Sequence, residues 1–91
     1  MTAERTTIFW NQDGFRVVLC ARFMAIANNY RARIRVVSFR GRDANGRSAM
    51  ELMSLEVRAG EPIRIVAEGV EAEKALAALV TLVESRFGGV A

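Results

Sequence analysis

The sequence predicts an α+β fold in the order β-α-β-β-α-β-α, one antiparallel sheet covered on one face by helices. Three observations predict it. Residues 33–39 and 63–68 alternate with the period of two that a half-buried strand needs. Residues 71–87 instead repeat apolar side chains at helical spacing. Finally, 91 residues, 52% apolar and 25% charged, suffice for one core and are too few for two. The chain therefore reads as a single domain, residues 1–91, with its core between about 5 and 87.

Thr6 to Trp10 is β-branched and aromatic and is closed by Asn11-Gln12-Asp13-Gly14, so it reads as a first strand. Strict alternation puts Ile8 and Trp10 on the opposite face from Phe9; if theirs is the open face of the sheet it would favour self-association, and a homodimer is one expected outcome. Val17 to Asn29 follows as a helix, with Cys20, Phe23, Met24 and Ala27 on one buried stripe. Val17, Val18, Ala21 and Ala25 then form an apolar strip where a surface helix normally carries charge.

Arg33 to Phe39 is the second strand, Ile34 and Val36 inward and the arginines outward. Arg40 to Ala44 returns antiparallel, and Asn45-Gly46 ends it. Ser48-Ala49-Met50-Glu51 is a capping box opening a short helix to about Met53: the serine hydroxyl accepts from a free backbone N–H, and the glutamate reaches back to the N–H of the cap. After Ala59-Gly60-Glu61-Pro62, Ile63 to Glu68 is another strand, ended by Gly69. Glu71 to Phe87 is a long helix burying Ala72, Ala75, Leu76, Leu79, Val80 and Val83, acidic at its start and stopped by Gly88-Gly89.

The chain has no histidine and one cysteine. That excludes an internal disulfide, leaves no metal-ligand cluster, and offers no credible catalytic constellation; the protein reads as a binding protein without cofactor, not an enzyme. A free cysteine fits a reducing interior, so the expected location is the cytoplasm. No apolar run approaches the roughly 18 residues of a membrane span. The net charge is +3. Between positions 16 and 47 eight arginines (16, 22, 31, 33, 35, 40, 42 and 47) meet one acid, Asp43. A basic half can mark a nucleic-acid surface, but alternate arginines on a strand are more often a solvated sheet face, and no aromatic stacking pair accompanies them. Nucleic-acid binding is the disfavoured alternative.

The stretches Asn45-Gly46-Arg47-Ser48-Ala49-Met50-Glu51-Leu52-Met53-Ser54-Leu55 and Ile63-Arg64-Ile65-Val66-Ala67-Glu68-Gly69, with the alanine- and leucine-rich last helix, resemble HPr, the phosphocarrier of the bacterial phosphoenolpyruvate-dependent sugar phosphotransferase system. The resemblance spans about residues 5 to 87. It implies an open-faced β-sandwich of four antiparallel strands covered on one face by three helices. The family's catalytic segment is a glycine, an apolar residue, a histidine, a small residue, an arginine and a proline. Here the segment reads Gly14-Phe15-Arg16-Val17-Val18-Leu19. Arg16 takes the histidine's place, Val18 the arginine's and Leu19 the proline's, so phosphohistidine chemistry is lost: a permanently protonated guanidinium is no nucleophile. Cys20 is no substitute, because its spacing places it in the buried stripe, where a thiol is inert.

The resemblance also implies a regulatory phosphosite at Ser48, which a dedicated kinase modifies in many members, including a subfamily without the histidine. Arg47 would favour a phosphate there; Glu51 would oppose it and also explains Ser48 as an ordinary cap. Met50 and Met53 would lie beside the exposed strip of the first helix. Phe15, Arg16, Val18, Ala21, Ala25, Arg47, Met50 and Met53 are therefore the expected partner-binding surface. The expected function is that of a regulatory adaptor binding proteins such as a serine kinase, enzyme I or a transcriptional regulator; the alternatives are a basic nucleic-acid-binding domain and a decayed phosphocarrier paralogue.

Overall fold

The computed structural model describes residues 1–89, in the predicted order: β1 (Thr2–Phe9), α1 (Val17–Ala27), β2 (Arg33–Ser38), β3 (Asp43–Asn45), α2 (Ala49–Met53), β4 (Glu61–Glu68) and α3 (Ala72–Glu84). The four strands form one antiparallel sheet in the order β1-β4-β2-β3. Helix α1 carries the chain from β1 to β2 and leaves the gap that β4 later fills. One face of the sheet packs on the helices, and the other is open.

The alternation in β2 and β4 sends Ile34, Val36, Ile63, Ile65 and Ala67 into the core. All six apolar positions read from the last helix are buried against that face. Val66 is nearly buried although it points to the open face, because long neighbours on both flanking strands cover it. Pro62 lies in a central strand one residue beyond Ile63, the last β4 residue that β2 pairs, so its missing N–H breaks no bond to β2.

Three boundaries differ from the sequence reading by three residues or more. Strand β1 begins at Thr2 rather than Thr6, since Thr2 pairs with Glu68 and Arg5 with Ile65; a long partner extends a segment with little strand character of its own. The return strand is only Asp43–Asn45, because the turn Ser38 to Arg42 occupies the residues before it: the Gly41 N–H donates to the Ser38 carbonyl at 2.9 Å and the Ser38 N–H to the Arg42 carbonyl at 2.8 Å. Helix α3 stops at Glu84 and is followed by a left-handed turn, Arg86–Gly89, in which Arg86 and Phe87 have φ of 57° and 58°. Two successive non-glycine residues in that region are costly. Burial of the Phe87 ring beside Phe9 and Phe15, at centroid distances of 5.7 and 5.9 Å, offsets the strain. Asn11 Nδ2 also donates to the Arg86 carbonyl at 3.1 Å.

Phe9 is fully buried, as its inward phase requires. Trp10 does not lie over the open sheet. It is half exposed beside Gly60 at the strand end, with the Arg86 guanidinium 5.8 Å from its ring centre, a cation–π contact.

Candidate functional site

The site lies where the loop after β1 enters α1 and where α2 packs beside that helix. Asp13 and Gly14 turn the chain in the left-handed region, with φ of 64° and 66°. The Gly14 carbonyl accepts from the Arg16 N–H at 3.0 Å. Arg16 then caps α1 in an extended conformation, and its carbonyl accepts the first helical bond, from the Cys20 N–H at 2.9 Å. No side chain caps this helix, and its first turn holds no acidic residue. The Arg16 guanidinium is half exposed, 3.9 Å from the Asp13 carboxylate.

Helix α1 buries Leu19, Cys20, Phe23 and Ala27. Met24, expected in that stripe, is only half-buried at its edge, and Leu19 fills the place instead. Val17, Val18, Ala21 and Ala25 face solvent as expected, Val17 at 70%. The neighbouring α2 buries Leu52 and exposes Met50 at 78% and Met53 at 41%. The two helices meet at Cys20, whose thiol lies 3.9 Å from the Phe15 carbonyl and 3.8 Å from the Ala49 carbonyl. Burial pushes that thiol's pKa up, which suppresses the reactive thiolate.

Phe15 does not belong to the exposed surface predicted for it. It is 5% exposed and forms the hub of an aromatic cluster, with ring centres 4.9 Å from Phe9, 5.8 Å from Phe23 and 5.9 Å from Phe87. The helix begins at Val17, so helical spacing does not relate Phe15 to Val18. The left-handed turn at Asp13-Gly14 precedes it and turns it inward.

Ser48 caps α2: its hydroxyl oxygen accepts from the Glu51 N–H at 3.2 Å. The other half of the predicted capping box goes elsewhere. Glu51 Oε1 accepts from the Asn45 N–H at 2.9 Å, while the Ser48 N–H donates to the Asn45 carbonyl at 3.0 Å. Glu51 thus ties α2 to the end of β3 rather than to its own cap. The residue before Ser48 also departs from expectation. Arg47 turns away from the serine and donates to Asn28 Oδ1 (3.0 Å) and to the carbonyls of Ala27 (2.6 Å), Ala32 (2.8 Å) and Tyr30 (3.1 Å). It satisfies the C-terminal carbonyls of α1, where the helix dipole favours a cation, and does not stand ready for a phosphate or a partner. Sequence spacing cannot reveal such a contact, since its acceptors lie 15 to 20 residues away.

Replacing Arg47 by alanine leaves several carbonyls at that end without their donor. The expected loss is about 2 kcal/mol in urea unfolding, the scale of hydrogen bonds to a charged group. Arg47→Lys is expected to recover only part of it, because an ammonium cannot serve four spread acceptors in one plane.

Among the described residues, five of the eight arginines of the basic half pair with a carboxylate, and three of these, Arg33, Arg40 and Arg42, pair with acids distant in sequence. Arg35 lies 2.5 Å from Asp43, Arg40 2.9 Å from Glu61, Arg42 3.4 Å from Glu56 and Arg33 3.9 Å from Glu68. A hydrogen bond from the Arg58 N–H, and after it two from the Arg40 guanidinium, hold the Glu61 carboxyl below its usual pKa. A surface so interspersed with carboxylates lacks the unbroken positive stripe that binds phosphate backbones. Among the described residues no group of three or more Cys, Asp or Glu could hold a metal ion, and no helix is long and apolar enough to cross a membrane.

Comparison with known proteins gives a consistent result. The family model described as the PTS HPr component phosphorylation site matches residues 3–85. The phosphocarrier protein HPr of Pseudomonas aeruginosa is 32% identical over 87 residues, 96% of either chain. The structure of HPr-C-His from Thermoanaerobacter tengcongensis superposes with a TM-score of 0.87 at 34% identity, covering 98% of this chain and 99% of that one. The Bacillus subtilis catabolite repression containing protein Crh, solved as a dimer with a swapping domain, superposes with a TM-score of 0.70 at 26% identity, covering 88% and 86%.

Proposed function

The chain belongs to the PTS HPr family, and from that premise we propose that it is a member that no longer carries phosphohistidine and acts instead as a regulatory adaptor. The observation that carries this reading is the residue at the entry to α1. Arg16 is its N-cap, in the segment where the family carries its histidine, and the whole chain contains no histidine. The Cys20 thiol does not take the histidine's place, because it is buried and burial disfavours its thiolate. What the site offers is contact surface: Val17 and Val18 on α1, flanked by Arg16, with Met50 and Met53 exposed on the adjacent helix. Methionine and valine in the open suit docking to an apolar protein surface. The similarity to Crh supports a regulatory role of this kind.

Ser48 is the proposed control point. A phosphate there would sit where the hydroxyl already receives the Glu51 N–H. Arg47 takes no part in this, being engaged at the far end of α1.

The test is phosphoryl transfer from phosphoenolpyruvate and enzyme I to the purified chain. The expected result is no acid-labile label, and none with Arg16→His alone, because Val18 and Leu19 remain in place of the family's arginine and proline. Acid-labile labelling of the unaltered chain overturns the reading. Intact mass of the protein from cells grown on rich and poor carbon sources, with fragmentation, then tests Ser48: a condition-dependent phosphate mapped to it is expected, and its absence in every condition reduces Ser48 to a helix cap.

A further inference from the structure

The open face of the sheet, opposite the proposed docking helices, is organised in two zones. The register places Ile8 beside Pro62, with Phe39 continuing the row past the end of β2, and Thr6, Arg64 and Val37 in the row behind. This end is apolar, and it holds a depression of about 320 Å³ whose lining includes Thr6, Val37, Phe39, Pro62 and Arg64. Arg64, on the wall of the depression, is paired with Glu4 at 3.3 Å, and the remainder of the face is charged but neutralised, through Asp43 with Arg35 and Glu68 with Arg33.

Phe39 is the aromatic residue that lines this depression, and it is 70% exposed. It sits on a turn that is held firmly. The Gly41 N–H closes on the Ser38 carbonyl, the Arg42 N–H donates to Ser38 Oγ at 3.1 Å, and the Arg40 guanidinium grips both Glu61 oxygens at 3.2 and 2.9 Å. A protruding ring thus stands on a well-held turn beside a recess on the same surface.

We propose that this end of the open face is a self-association surface, on which Phe39 of each copy enters the depression beside Phe39 of the other. A knob and a hole adjacent on one molecule are the requirement for a closed two-fold contact, because a single rotation satisfies both at once. Arg64 lines the recess, so the incoming ring meets a guanidinium as well as Val37 and Pro62. The electrostatics favour a second copy over a charged partner, since each cation named on this face already has its carboxylate and two such faces meet without net repulsion. The apolar area is a handful of side chains, well below the roughly 800 Å² per partner of stable complexes, so the dimer is weak and concentration-dependent. The proposal is independent of the phosphotransfer reading.

Sedimentation equilibrium of the full chain up to millimolar concentration tests it, with Phe39→Asp, Thr6→Tyr and Val18→Asp alongside. The unaltered chain is expected to show a reversible dimer. Phe39→Asp, which removes the knob, and Thr6→Tyr, which fills the hole, are each expected to weaken it about tenfold or more, as loss of an interface anchor does. Val18→Asp, on the helix side, is expected to leave the self-association unchanged. A monomer at every concentration overturns the proposal, as does a dimer indifferent to Phe39→Asp. So does a dimer abolished only by Val18→Asp, which would place the contact on the helices, or one that fails to dissociate on dilution, which would indicate exchanged strands.

Discussion

Phe15→Ala is expected to destabilise the protein by about 3–5 kcal/mol, the range for deleting a buried phenyl ring. In a domain of this size that corresponds to a fall of roughly 15–30 °C in Tm. The ring touches Phe9, Phe23 and Phe87, so its loss opens a cavity bounded by three elements that cannot all move inward together. Phe87 has the most to lose, because ring burial is what offsets its left-handed backbone. Urea unfolding and a thermal melt measure the effect, and Phe15→Leu, which refills part of the volume, is expected to cost less than half as much. The experiment separates two readings of this residue. A docking residue would lose partner binding while leaving stability unchanged. The geometry requires the opposite, a large loss of stability with weakened binding only as a consequence of unfolding. Val18→Asp is the complement: it lies in the open and is expected to leave stability within about 0.5 kcal/mol, the usual range for surface substitutions.

That contrast between Phe15 and Val18 locates the boundary of what the sequence makes legible. Inside regular elements, periodicity carries nearly everything. The stripe of α3 is buried at all six predicted positions, Ile34 and Val36 point inward, and Val17, Val18, Ala21 and Ala25 are exposed on α1. Phe15 escapes because it lies two residues before the helix, on a turn whose direction depends on the left-handed Asp13-Gly14 pair rather than on any period. The same holds at the other end of the chain, where Gly88-Gly89 signals a stop but the helix already ends at Glu84.

Polar side chains were legible only when their partners lay nearby in sequence. The Ser48 cap has its donor three residues on and reads directly from the chain. Glu51 reaches Asn45, and Arg47 reaches carbonyls on α1, because packing of α2 against α1 and β3 brings those groups within range. Long charged side chains have several partners within reach once the fold forms, and the winning one depends on tertiary placement. The basic half is a further case. Its arginines look unopposed along the chain, yet Glu56, Glu61 and Glu68 meet them across the turns and strands of the folded molecule. The site itself follows the same rule: the exposed apolar positions were readable from spacing, and the inward commitments of Phe15 and Arg47 were not.

Gly14→Ala is the second large effect expected, about 3 kcal/mol of lost stability, and it bears directly on the candidate site. Two costs combine. Gly14 has φ of 66°, a conformation that costs a residue with a Cβ about 1–2 kcal/mol. An added Cβ would also lie 2.4 Å from the Val57 carbonyl oxygen, backbone that cannot rotate aside as a side chain could. Val57 is buried in the segment between α2 and β4, so relief of the clash must move either that segment or the entry to α1. Gly41→Ala supplies the reference. Gly41 has φ of 84° and nothing within 4 Å of the added carbon, so it reports the left-handed cost alone, about 1 kcal/mol. The difference between the two variants in urea unfolding therefore measures the close approach of the two loops. Equal losses would mean that the loops separate easily and that Gly14 is needed only for its turn. A clearly larger loss at Gly14 is expected. It would identify the contact with Val57 as what fixes the start of α1, and with it the positions of Arg16, Val17 and Val18 on the docking surface.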